Sequence, residues 1–519
     1  MARTQLARMI GSMFAERNER NGISRRTFLA GGAALGVAAL GALPAAAAAK
    51  QRIAIVGAGI SGLAAALALQ DKGIPATVYE ANRRVGGRMF STVPGAYWSA
   101  GQVSEWGGEL IDTDHTTIQS LAQRFNLPLD DLRAAMPADA TDTYYFNGHY
   151  YPYAQAKADF QPVYDALQKD LASFDYPVTY DSDPSPAGIA LSNMTAYEWI
   201  ETRVPGGHRS LFGTLLDVAY NIEFGAETTA QTALGLIGLL GYQSAPGAFD
   251  MFGTSDERYH IRGGNQQLPK AIAAALPPSS VNFGWQLTAL ATNPDNTQTL
   301  TFTVDGKTRT VTADHTILAV PLGVMKRIDF SRANFDARKR ATYAAMTMGV
   351  NGKLQLQFDS RLWSQRKSTG ESYADTGYQN TWEVSRAQPG TQGILVDFVG
   401  GNVARSFAPA HAFGSADDPV INAYAQRFLS QIEPVYPGLT KLWNGKALLS
   451  TWYLNPYSHG SYSYWPPRYC QNYAGYEGVR QGNVHFAGEH CSVNYQGYME
   501  GGAEEGQRAA AEIIADLHA

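Results

Sequence analysis

The first residues equipped for chemistry are Gly57, Gly59, Ser61, Gly62 and Glu80. Gly57-Ala58-Gly59-Ile60-Ser61-Gly62 has the spacing G-x-G-x-x-G, and Glu80 follows Gly62 by 18 residues. Glycines at those positions let the backbone turn tightly and approach a pyrophosphate, and a carboxylate at that distance accepts ribose hydroxyls. The short motif also arises in ordinary turns, so its surroundings decide. Arg52–Val56 is a β-branched apolar run, Leu63–Lys72 is rich in Ala and Leu and closes at Gly73, and Ala76–Tyr79 leads onto Glu80. The order is strand, helix, strand, and the helix N-terminus offers free N–H groups and a positive dipole end to phosphate. These residues read as a dinucleotide site.

Ala81 opens a segment that reaches Gly86-Gly87-Arg88. A Gly-Gly-Arg after the ribose acid suits a second approach to a pyrophosphate, with a guanidinium as charge partner. Here the chain resembles the flavin-containing amine oxidase family, which includes monoamine oxidases, polyamine oxidases and L-amino-acid oxidases. Glu105-Trp106-Gly107-Gly108-Glu109-Leu110 is similar to the family segment beside the flavin ring. Val281 matches the position that contacts adenine, and Thr316–Pro321 the family's returning strand. Val484–Glu489 and Gly497-Tyr498-Met499-Glu500-Gly501-Gly502 are similar to the closing flavin motif.

The resemblance implies FAD as cofactor. It places cofactor contacts at Gly57, Gly59, Ser61, Gly62, Glu80, Ala81, Arg88, Gly107, Gly108, Glu109, Leu110, Val281, Glu489, Gly497, Tyr498 and Met499. Glu489 is expected on the ribityl chain, and a helix starting near Met499 directs its positive end at the flavin. Tyr462 and Tyr498 match the two walls of an aromatic cage that steers an amine. Lys353 matches a lysine that holds a water against flavin N5. Ser461 stands where animal monoamine oxidases carry a flavin-linked Cys, so the flavin is expected to be non-covalent, with Cys491 a small buried residue.

Substrate class is less legible. Leu110 occupies the position where venom-type L-amino-acid oxidases place a carboxylate-binding arginine, so Arg405 or Arg209 is left as a relocated clamp. Asp112 matches an acid that meets a distal ammonium in some polyamine oxidases. Asp112 and Asp114 also suit the cap of a helix beginning near Thr116. The expected activity is oxidation of an amine or L-amino acid to an imine, with O₂ reduced to H₂O₂. A dedicated L-amino-acid oxidase and a non-oxidase dehydrogenase or desaturase-like flavoprotein are the alternatives.

Positioning these groups calls for an α/β fold. A Rossmann-like FAD-binding domain is expected from residues 50–125, 255–325 and 445–519, with an α+β substrate-binding domain from 126–254 and 326–444. Residues 1–49 read as an address. Ser24-Arg25-Arg26-Thr27-Phe28-Leu29 resembles the bacterial twin-arginine export signal, which implies the Tat machinery as partner and a periplasmic or secreted protein. The apolar run Ala30–Leu43 falls short of the ~20 residues of a membrane span, although an uncleaved anchor stays open. These 49 residues hold six Arg against two Glu, so a net charge of −5 becomes −9 without them. That balance and the absence of a basic stripe argue against nucleic acid. Two Cys exclude a disulfide-dense scaffold or a cysteine-based zinc module, and no metal is expected.

Overall fold

The computed structural model describes residues 51–518, so the twin-arginine segment lies outside the described residues. β1 (Ile53–Val56), α1 (Ile60–Asp71) and β2 (Ala76–Glu80) form the expected unit. β3 (Val281–Phe283), β4 (His315–Leu318) and β5 (Val484–Phe486) complete a five-stranded sheet in the order β5-β4-β1-β2-β3. Every pairing in it is parallel. All four residues of β1 are buried, as a strand covered on both faces requires. The chain leaves β1 for β2 on one side, and β4 joins on the other side only after residue 314. This reversal opens a crevice at the carboxyl end of β1, where sheets of this kind bind ligands.

α1 is buried almost all round because a second helix covers it. That helix is the C-terminal one, Met499–His518, and it approaches α1 over glycine. A Cβ on Gly506 would stand 2.1 Å from the Ser61 carbonyl oxygen. The segment opened by Val281 forms two strands, Val281–Phe283 and Gln286–Thr292. Gly284 between them has φ +76°, a left-handed conformation that turns the chain out of the first sheet.

An eight-stranded sheet faces the crevice. Its third strand, Asn351–Phe358, pairs antiparallel with Trp443–Thr451 on one side and Gly393–Gly400 on the other. All eight of its residues are buried, yet they alternate in character. Leu354, Leu356 and Phe358 pack with Phe428 and Leu429 of the helix Pro419–Ile432. Lys353, Gln355 and Gln357 point the other way and hydrogen-bond the segment 99–109. The period of two therefore turns Lys353 toward the crevice. A third layer contributes α2 (Leu211–Phe224). Ser210 Oγ caps its start by accepting from the Gly213 N–H, and Gly225 at φ +62° ends it.

Candidate active site

The glycines of the first turn have different tasks. A Cβ on Gly57 would come within 2.5 Å of the Ala319 carbonyl oxygen, and one on Gly62 within 2.0 Å of the Gly57 carbonyl oxygen. Both are required by the protein's own packing. A Cβ on Gly59 would meet nothing within 4 Å, so its Cα hydrogen faces open cavity where a ligand can approach the main chain. α1 has no side-chain cap and no acid in its first turn, which leaves its N–H groups and positive end available. Ser61 Oγ beside them is buried without a partner. An anion between Gly59 and Ser61 would satisfy these donors.

Glu80 accepts the Ala58 N–H through Oε2 and the Asn82 N–H through Oε1, both at 2.7 Å. A carboxylate so anchored retains lone pairs for two hydroxyls. Burial pushes its carboxyl above the ordinary value, with the two amides and Arg84 acting against it. Gly86 N–H donates to the Ala58 carbonyl at 2.8 Å, which ties the Gly-Gly-Arg turn to the first turn. Arg84 lies over the Phe90 ring at 4.0 Å and bonds the Val85 and Gly87 carbonyls.

Arg88 does not stand free as a phosphate partner. Its guanidinium donates to Glu489 Oε1 at 2.8 Å and to the Ser461 carbonyl at 2.9 Å. Glu489 also accepts from Ser463 Oγ at 2.7 Å and the Gly497 N–H at 3.0 Å. Burial raises the Glu489 carboxyl, but Arg88 and its hydrogen bonds outweigh this and hold it below the ordinary range. Segments 401 residues apart are thereby locked around one cavity.

Lys353 Nζ donates to Glu109 Oε2 at 2.8 Å and to the Gly107 carbonyl at 2.9 Å, with the Trp382 ring 5.1 Å away. Trp382 Nε1–H takes the other Glu109 oxygen at 3.0 Å. The ammonium and carboxylate are both buried, so each is the other's compensation. Tyr462 OH donates to the Glu223 and Ile222 carbonyls at 2.5 and 3.2 Å. Tyr498 OH lies 3.4 Å from Glu223 Oε1. Both tyrosines are thus fixed by the last turn of α2. Ser461 Oγ donates to Asn351 Oδ1 at 2.6 Å, and Asn351 Nδ2 to the Ile222 carbonyl at 2.7 Å.

Most of the expected residues line this single cavity: Gly57, Gly59, Ser61, Glu80, Ala81, Arg88, Gly107, Gly108, Glu109, Leu110, Lys353, Tyr462, Glu489, Gly497, Tyr498 and Met499. Gly62 does not, for the packing reason above. Val281 does not either. It pairs with Val78 and packs on the apolar cluster behind α1, while Trp285, Gln286 and Leu287 line the cavity after the Gly284 turn. Asp112 is likewise no part of the lining. Its buried carboxylate accepts from Ser255 Oγ at 2.6 Å and the Glu257 N–H at 2.8 Å, so it holds a loop. The capping role is also taken elsewhere. The Thr117 and Ile118 N–H groups of helix Thr116–Arg124 donate to Glu500. Arg209 and Arg405 do not line the cavity, and the guanidiniums that do, on Arg84 and Arg88, are already bonded.

Three lining carboxylates were not foreseen: Glu223, Glu257 and Glu371. Burial pushes Glu223 up to about 7 and Glu371 up to about 8, the latter helped by Asp142. Burial, then Glu371 and Asp112, raise Glu257 as well. Only Glu223 carries a sequence signal, being one of two acids in the apolar helix LFGTLLDVAYNIEF. A raised native value means that the folded protein keeps a proton the unfolded chain releases above about 4.5, so stability falls as pH rises from there to about 7. Glu223→Gln is expected to flatten that decline. Melting temperatures at pH 5 and 8 check it, and an unchanged slope contradicts the assignment.

A model of the family described as flavin containing amine oxidoreductase matches residues 60–514. An L-amino-acid oxidase of Mus musculus is 24% identical over 481 residues, 89% of this chain and 70% of that protein. An L-amino acid dehydrogenase of Synechocystis sp. is 25% identical over 486 residues, 89% of this chain and 94% of that protein. Cyclohexylamine oxidase from Brevibacterium oxydans shares the fold with a TM-score of 0.75 at 24% identity, over 91% of this chain and 100% of that one.

Proposed function

The chain belongs to the flavin-containing amine oxidoreductase family, and from that premise we propose that it oxidises an amine bearing a second positive charge, reducing O₂ to H₂O₂. The observation that carries the substrate class is the acidic wall of Glu223, Glu257 and Glu371 beside Tyr462 and Tyr498. The cations that offset those carboxylates, Arg133 and Arg386, do not line the cavity. A bound ammonium favours the ionised form of these burial-raised carboxyls and is attracted by it, whereas an amino-acid carboxylate disfavours that form.

The residues present fit FAD. Gly59, Ser61 and the open end of α1 would take the pyrophosphate, Glu80 the ribose, and the N-terminal end of helix Met499–His518 the flavin. The bound flavin supplies a two-electron acceptor for the α-C–H bond of a neutral amine and a route for those electrons to O₂. Tyr462 and Tyr498 flank the amine with apolar ring faces and exclude water. Lys353, held by Glu109 and the Gly107 carbonyl, places a fixed positive charge at the cavity wall. The imine product hydrolyses in water to a carbonyl compound and ammonia or an amine.

Peroxide release by the purified flavoprotein, screened over monoamines, diamines and the twenty L-amino acids, tests this. Diamines are expected to outpace monoamines of equal length. Turnover of amino acids alone overturns the substrate class. Turnover of any of these with an artificial acceptor but without peroxide favours the second reading, a dehydrogenase, which the Synechocystis relative supports.

Two further expectations belong to this proposal. Ser461 offers a hydroxyl where a thioether would need sulfur, so acid precipitation should release all flavin into the supernatant; colour left in the pellet contradicts it. Export through the Tat route predicts that changing Arg25-Arg26 to Lys-Lys leaves the protein in the cytoplasm, and periplasmic accumulation of that variant argues otherwise.

A further inference from the structure

At the β5–β4 edge of the five-stranded sheet, three potential ligands outside the cavity lining converge. His315 is the first residue of β4, His485 the middle residue of β5, and Asp516 sits in the last turn of the C-terminal helix. One ligand atom from each lies within 4.8 Å of the others. His315 Nδ1 and His485 Nε2 are 3.4 Å apart. That is long for a hydrogen bond between ring nitrogens. It equals, to about 0.1 Å, the separation of two nitrogens on a tetrahedral ion with bonds of ~2.0–2.1 Å.

The surroundings favour a ligand role. His485 Nδ1 contacts Glu512 Oε2 at 2.6 Å. A carboxylate there fixes the proton on Nδ1, so Nε2 presents its lone pair toward His315. His485 is fully buried, while Asp516 is partly exposed and gives the site an outer opening. Arg480 is the opposing feature, since it bonds both Asp516 oxygens at 2.7 and 2.9 Å. Each Asp516 oxygen keeps a second lone pair for a ligand while it accepts from Arg480.

We propose that His315, His485 and Asp516 form a structural zinc site, with water as fourth ligand, that clamps the C-terminal helix to the parallel sheet. Imidazole with carboxylate suits Zn²⁺ over Ca²⁺ or Mg²⁺. None of the three residues lines the cavity, so the site stands or falls independently of the proposed reaction.

The test is metal content and melting temperature of the flavin-loaded protein before and after EDTA and Zn²⁺ addition, for wild type, His315→Gln and Asp516→Asn. The expected result is one zinc per chain, a melting temperature that falls on chelation and recovers with Zn²⁺, and loss of that response in both variants. Flavin absorbance serves as the control for folding. If zinc neither binds in stoichiometric amount nor shifts melting, or shifts the variants equally, the two histidines are a hydrogen-bonded pair only and the proposal fails. If His315→Gln does not fold, the Asp516→Asn result decides.

Discussion

Lys353→Met is expected to slow turnover by about tenfold or more, equivalent to ~1.4 kcal/mol or more of barrier. Methionine keeps an apolar stem and deletes the ammonium. The structure adds a consequence that the sequence does not show. Glu109 loses its partner while only 6% of its side chain is exposed, and breaking a buried pair costs roughly 3–5 kcal/mol. The variant should therefore melt lower as well as react more slowly. Adding Glu109→Gln removes the stranded charge, so the double variant should regain stability without regaining rate. Flavin reduction by amine and reoxidation by air, measured separately, locate the lost step. Wild-type rates in both, matched by a control at the exposed Lys307, would show that Lys353 has no part in the reaction.

Arg88→Met should be the most damaging change to cofactor loading. Glu489 has only 5% of its side chain exposed, and Arg88 is its cationic partner. Without it the carboxylate is left with Ser463 and main-chain donors, again a loss of roughly 3–5 kcal/mol. The guanidinium also joins the Gly86-Gly87 turn to the Ser461 strand, so the cavity walls lose their tie. Protein purified from this variant should carry well under half the wild-type flavin. Arg88→Lys retains charge but not the fork, and is expected to fall between the two. Full flavin occupancy in Arg88→Met would mean that the pair does not shape the site.

The local unit from β1 to Glu80 was legible because its determinants are local. Strand, turn, helix and acid lie within 30 residues, and glycine types report directly on backbone geometry. The alternation of Lys353, Gln355 and Gln357 with Leu354, Leu356 and Phe358 is also in the sequence, and it places the lysine on the face opposite the apolar core. That Trp285, Gln286 and Leu287 line the cavity was not legible, because the sequence does not say that Gly284 turns the chain out of one sheet into another. Asp112 was misread because a carboxylate near a flavin segment looks the same whether it meets a ligand or two loop donors.

The sequence by itself determined the part whose chemistry depends on neighbours along the chain: the strand–turn–helix–strand unit that ends at Glu80. Tertiary structure decided which charges meet. Lys353 finds Glu109 across 244 residues, Arg88 finds Glu489 across 401, and Glu223, Glu257 and Glu371 gather at one wall from three separate segments. A single ionisable residue in a sequence carries no mark of its partner. Burial sets whether its charge is costly, and the long-range pairing of sheets sets what compensates it.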